Sequence, residues 1–306
     1  MRALLTICFA LAVTAALFPQ SLFAAPNDLT LWRMCRRDPA TGNCLPAPGQ
    51  IPGFPLRADP DVAKWKKFTK EFSSILGPKY HSSADSLGML GFNVGLEYSM
   101  NFVPTGPQWN DALENVETFE NWNPDGSKSS TAPTQLSTFQ FHVRKGLPYS
   151  FEIGFNGSYI LASKMFLVGS ELKVTFIEDL HEYAPDVAAR MTYGHLFGAP
   201  DMDLDLTGWD LSLSWKFGLG GFVQMAPYTG YSLLVSYIKP KVVNPDFYGK
   251  GADQDMMLLL LPHSTDIQHR WFVGLKINTA YLTFIPEFQV SSTGVKTVSF
   301  NLGSEF

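Results

Sequence analysis

Asp201, Asp203 and Asp205 recur at every second residue, a spacing that puts three carboxylates on one side of an extended chain and could gather a divalent cation. Counted from Asp201 as a calcium loop, however, position six is Leu206 where glycine is needed, and position twelve is Ser212 where glutamate is needed. That motif fails, and the row reads as a solvated acidic rim with no metal implied. Hydrolysis would need histidine beside aspartate and a nucleophile. His195, Asp201, His263, Ser264, Asp266 and His269 supply the residue types without any spaced motif. Ordinary loop polarity accounts for them, so the expectation is a protein that is not an enzyme, with no catalytic residue and no cofactor. Cys35 and Cys44 stand in a Pro/Gly-rich stretch with no further metal ligands nearby, which predicts one local disulfide and an oxidising compartment.

The charged residues with the most regular placement are Glu97, Arg144, Glu152, Glu171, Lys173, Arg190, Asp210, Lys216, Lys276 and Glu287, five of each sign. Each falls on the polar parity of a run that alternates with period two. From 90 to 102 every even position is apolar, from Leu90 through Phe92, Val94, Leu96, Tyr98 and Met100 to Phe102, while Asn93, Glu97, Ser99 and Asn101 occupy the other face. The same reading gives ten strands in all, ending with Val298, Phe300, Leu302 and Phe306, and one long strand over about 221–238 despite Pro227 and Gly230. Leu204 and Leu206 differ in parity from Trp209 and Leu211, which predicts a bulge near Thr207-Gly208.

Several runs reach ten residues or more. Globular strands usually span about five or six, whereas a tilted crossing of a bilayer takes roughly nine to eleven. Connection lengths offer an independent test, because membrane barrels have short periplasmic turns and long outer loops. The connections 103–134, 163–164, 196–207, 239–267 and 292–295 alternate with 146–148, 179–186, 218–220 and 279–280, and the three longest fall in one set. The fold expected is an all-β transmembrane antiparallel barrel of about ten strands, with twelve as the alternative. Its greasy face would meet lipid, since Arg or Lys at mid-membrane costs about 2–4 kcal/mol, and its charged face would look inward. At ten strands the lumen sits near the filled end of the range, so the inward charges should cancel in pairs; a narrow channel for small solutes is the alternative.

Ahead of the strands lie two further regions. Arg2, the apolar run from Ala3 to Phe18 and the small residues Ala24 and Ala25 have the order of a secretory signal peptide, so residues 1–25, Cys8 included, are set aside from the fold. Residues 26–86 form a separate segment, expected on the periplasmic side, in which Val62, Trp65, Phe68, Phe72 and Ile75 fall at helical spacing between Asp59-Pro60 and Gly77-Pro78. Packing on the end of the main domain, lying on a membrane and plugging a pore are the roles open to this amphipathic helix.

Composition agrees with an aromatic-rich β protein. The chain has 306 residues, 45% hydrophobic, 14% aromatic and 17% charged, with 25 glycines. Its 23 Lys and Arg against 28 Asp and Glu give a net charge of -5, which lacks the basic excess of a nucleic-acid binder. Past the N-terminus no run is long enough for a transmembrane helix.

The final residues Val298-Ser-Phe-Asn-Leu-Gly-Ser-Glu-Phe306 resemble the terminal strand of bacterial outer-membrane β-barrel proteins, with Phe306 at the terminal aromatic and Phe300 and Leu302 at alternating apolar positions. The resemblance implies a Gram-negative outer membrane, surrounding lipid and the barrel-assembly machinery as partners. Because enzymes of that class place Asp, His or Ser at the outer mouth, a surface hydrolase is a further alternative. The run Met256-Met257-Leu258-Leu259-Leu260-Leu261 lies inside a long loop and must be covered, either by packing against Phe102, Trp109, Phe119 or Trp122 or by docking an envelope partner protein. The function expected is therefore a non-enzymatic structural or docking component of the envelope.

Overall fold

The computed structural model describes residues 27–40, 44–49, 56–113, 134–178, 184–219, 223–243, 257–279 and 282–306. Ten strands form one closed antiparallel barrel. They are β1 (Phe92–Phe102), β2 (Gln135–Leu147), β3 (Phe151–Ile160), β4 (Phe166–Ile177), β5 (Asp186–Phe197), β6 (Met202–Ser214), β7 (Val223–Pro240), β8 (Ser264–Thr279), β9 (Thr283–Ser291) and β10 (Lys296–Glu305). Each pairs with its neighbour in sequence, and β10 returns to β1, so none of the ten is left as an unpaired edge. A short strand, Phe217–Leu219, adds to the end of β7.

Period two sets which side chains face out. Leu96, Phe141, Phe155, Leu172, Trp209 and Trp271 are exposed on the outer wall, while Glu97, Arg144, Glu152 and Arg190 are buried within. A closed belt of this kind, drawn from every strand, is a surface for hydrocarbon; in water it would form an apolar patch far larger than soluble monomers carry. The long seventh strand is present with Pro227 and Gly230 inside it.

The sixth strand departs from the sequence reading. It begins at Met202, and its pairing with β5 runs unbroken from His195 opposite Asp205 to Asp186 opposite Ser214, so there is no bulge at Thr207-Gly208. The register shift in this part of the barrel lies between Thr175 and Ile177. Parity is constant along β6, but the two faces exchange chemistry. Met202, Leu204 and Leu206 point inward and are buried, whereas Asp203 and Asp205 point outward. At this end the wall has passed beyond the apolar belt and encloses an apolar core. β8 likewise starts at Ser264, earlier than its apolar run suggests.

That core is supplied by the N-terminal segment. Helix α1 (Val62–Leu76) starts where Asp61 accepts a hydrogen bond from Lys64 N and stops at Gly77. Trp65, Phe68, Phe72 and Ile75 pack against Leu204, Leu234 and Ile238 of the wall and against Trp109 of a short helix, α2 (Pro107–Ala112). The segment was expected beside the short turns, where β1 begins and the chain ends. Instead it sits at the long-loop end: Leu29 bridges Leu113, Asn27 N donates to Ala162 O, and Leu31 N donates to Asp201. The reason is the apolar upper wall, which only an apolar insert can fill. The sulfurs of Cys35 and Cys44 lie at disulfide distance in this cap, with Cα atoms 5.6 Å apart.

Replacing Leu204 by alanine should therefore destabilise the folded barrel by about 2–5 kcal/mol, as a buried core truncation. Asp203→Ala, which loses only an exposed ion pair with Lys241, should stay within about 0.5 kcal/mol. Thermal unfolding in detergent distinguishes the two.

Candidate functional site

Since α1 lies at the long-loop end and β1 starts at the other, residues 77–87 must cross the lumen. They do so in contact with nearly every inward charge. Arg144 donates to Tyr80 O and His81 O, and Arg190 to Lys79 O and Tyr80 O. Glu287 accepts from the backbone N–H groups of Tyr80 and His81. Lys173 reaches Ser83 O and Asp85 O, and Glu152 accepts from Leu87 N. Ser214 and Thr175 bind the two backbone groups of Ala84. An extended chain exposes unpaired N–H and C=O groups, and where it is buried each needs a partner. The charged wall supplies them.

One side chain of the crossing segment is anchored as well. Tyr80 stacks on Phe272 with ring centroids 4.8 Å apart, lies near Tyr228, has the Arg190 guanidinium 4.7 Å over its face, and hydrogen-bonds Ser212. These rings and Ile285 form a second, smaller apolar cluster inside an otherwise polar interior.

The inward charges expected from the sequence also meet one another. Glu171 pairs with both Arg144 and Arg190, and Arg190 continues to Asp210 at 2.7 Å. Lys173 is 3.2 Å from Glu152. Glu97 lies 3.4 Å from His81 Nε2, Lys276 binds Glu305 at 2.9 Å, and Lys216, near the short turns, holds Glu178 and Asp186. Missing from the sequence reading are Arg270, although it falls on the inner parity of the strand that follows the 239–267 connection, and the inserted Lys79, His81 and Asp85. For Arg270 the signal was present: Ser264, Asp266, Gln268 and Arg270 alternate with Ile267, His269 and Trp271.

The hydrolase candidates are divided by the wall. Ser264 donates to Asp266, and both hold Thr69 of α1 on the inner side. His195 and His269 lie on the outer side, His269 against Tyr231. His195 Nδ1 is 2.8 Å from Asp205, which also accepts from Tyr193. The other cross-strand neighbour of His195 is Val168, which offers no nucleophile. Asp201 is bound to the cap, Asp203 to Lys241 and Asp205 to His195, so the three carboxylates have separate partners. His263 is exposed beside the start of β8.

The leucine run turns inward. Leu258–Leu259 pairs in parallel with Arg57–Ala58, Leu259 and Leu261 are buried, Met257 packs on the Trp109 core, and Leu260 is 40% exposed. Met256, Phe119 and Trp122 lie outside the described residues. At the C-terminus Phe300 stacks with Phe284, Leu302 pairs with Leu96, and Phe306 exchanges two backbone hydrogen bonds with Phe92.

Within the cap, Glu71 is buried and accepts from Gln108 and Trp109. Burial pushes its carboxyl above the usual range, against those two hydrogen bonds and the charge of Lys67.

No family model and no curated protein matches the chain. Solved structures do. Ail, the attachment invasion locus protein of Yersinia pestis, is 12% identical over 71% of this chain and 99% of its own, with a TM-score of 0.27. The Neisserial surface protein A is 10% identical over 70% and 95%, with a TM-score of 0.27. The Acinetobacter baumannii outer membrane protein Omp33 is 10% identical over 71% and 99%, also at 0.27. At such low overlap the functional reading rests on this chain's own wall and lumen.

Two outcomes follow from the interior. Glu287→Leu strands two backbone N–H groups and the Tyr228 hydroxyl, and should cost about 3–5 kcal/mol in detergent unfolding. Glu71 holds its proton to higher pH when folded than when unfolded. Its contribution is thus present at low pH and lost as pH rises through the raised value. Glu71→Gln should remove that pH dependence from the unfolding midpoint. Glu71→Leu should cost about 1–3 kcal/mol for each donor left unpaired.

Proposed function

We propose that the chain is an outer-membrane barrel that is closed by its own polypeptide and displays a folded cap at the cell surface, as a non-enzymatic docking component of the envelope. The carrying observation is the lumen: residues 77–87 fill its lower half through hydrogen bonds to the wall, and α1 fills its upper half. A barrel occupied along its length is a poor conduit. It is a good stalk.

The side of the membrane follows from loop length. Short turns belong to the periplasmic side of such barrels, which supports a periplasmic C-terminus and an outer cap, the reverse of the placement expected for residues 26–86. Residues 1–25 would serve as the export leader. The outward face of α1 carries Lys66, Lys67 and Lys70, and with the long loops it forms the surface offered to an envelope partner.

In planar bilayers the purified chain should give no steady current. Stable ohmic steps would replace the closed-barrel reading with the solute-channel one. An impermeant amine reagent on intact cells should modify Lys66 and Lys67. Lys145, beside the short turns, should react only after the outer membrane is opened. The opposite labelling pattern would invert the orientation.

A further inference from the structure

The two ends of the barrel wall stop differently. At the long-loop end the outer face has turned polar before the strands finish, with Asp203, Asp205 and His195 at the rim. At the short-turn end it is apolar to the edge: Leu147 ends β2, Phe151 begins β3, Phe176 lies at the end of β4 and Phe306 follows β10, and all four are exposed. The boundary of the hydrocarbon therefore falls level with the short turns, and what projects past the strands there enters the headgroup layer.

Two loops project. Met89 and Leu90, in the loop leading into β1, are 60% and 83% exposed, and Tyr149, in the turn between β2 and β3, is 91% exposed. The loop and the turn are joined. Gly146 N donates to Gly91 O, and a side chain on Gly146 would collide with Gly88 O, so the loop lies flat against the turn. Lys145 faces outward from β2, yet its Nζ donates to Met89 O and Gly91 O, each at 3.2 Å, and so pins the loop to the wall. In the turn, Tyr149 and Ser150 both have left-handed backbones, at φ 62° and 58°, a conformation that favours glycine. The turn thus holds the Tyr149 ring away from the rest of the chain.

Three large side chains fixed this way in water would be an aggregation hazard. At the edge of a bilayer they are in place, since tyrosine combines an apolar ring with a hydroxyl that stays wet. We propose that Met89, Leu90 and Tyr149 form an anchor in the leaflet facing the short turns, set among phospholipid headgroups and the first carbons of the acyl chains. The partner is a lipid surface because the tips continue the lipid belt through Leu147 and Phe151, the residues that flank the turn. The anchor fixes how deep the barrel sits. It rests on the lipid-facing wall and is independent of what the cap docks.

The test uses the full chain with Cys8→Ser, in which Cys35 and Cys44 are tied to each other, carrying one bimane probe at Leu90→Cys, Tyr149→Cys or Phe155→Cys. The chain is reconstituted sparsely in vesicles of phosphatidylcholine alone. Probes at 90 and 149 should emit to the blue of the same probes in the urea-unfolded chain, and should lose most of their intensity to lipids bearing a nitroxide near the top of the acyl chain. The probe at 155, in the middle of β3, should answer instead to a nitroxide deep in the chain. Quenching at 155 with water-like, unquenched emission at 90 and 149 overturns the anchor and gives these tips to a periplasmic protein. Absence of quenching at 155 as well would show that the wall does not meet lipid, and the barrel reading would fall together with the anchor.

Discussion

The grip of buried cations and carboxylates on the backbone of residues 77–87 is the constraint on which the remaining architecture depends. A ten-stranded wall that must show lipid an apolar face has no choice but to turn its charges inward. Those charges then need partners in a space that water cannot fill freely. Pairing among themselves uses only part of their capacity: Arg144 and Arg190 share Glu171 and still have donors to spare. An extended peptide is the complementary object, since it brings carbonyls and N–H groups at short, regular intervals. Wall and insert each solve the other's desolvation problem.

The interior therefore has two regimes. Its lower half is polar and lined by ions around an extended chain. Its upper half is apolar and filled by Trp65, Phe68 and Phe72. The change falls near Gly77, where the helix ends, and there the wall presents Gln268 and Arg270. Outside, the exchange runs the other way, from the apolar belt to Asp203, Asp205 and His195 at the rim. The same alternation serves both halves, with the solvent and the core changing places between them.

Much of this was legible in the sequence. Period two picks out the strands and nine charges that are buried inside the wall, Lys216 falling just past the end of β6, and the helical spacing of Trp65, Phe68 and Phe72 picks out α1, because local geometry imposes both patterns. The parity difference between Leu204 and Leu206 on one side and Trp209 and Leu211 on the other suggests a bulge, yet it arises because the first pair faces a core and the second faces lipid. Periodicity gives parity but does not say whether lipid or a core lies beyond it. The crossing of the lumen was hidden for a similar reason. Lys79-Tyr80-His81-Ser82-Ser83 has no periodicity at all, and its shape is imposed by tertiary contacts with eight different strands or turns rather than by its own preferences.

One topological detail has a mechanical side. The crossing segment emerges beside β1, at the place where Phe92 and Phe306 join the first strand to the last. A tug on the cap would run down this internal cord and load the wall in shear, residue by residue, before reaching the seam. The barrel would thus act as both socket and brake, a pull on the cap being spread over the lower half of the wall instead of peeling one strand from its neighbour.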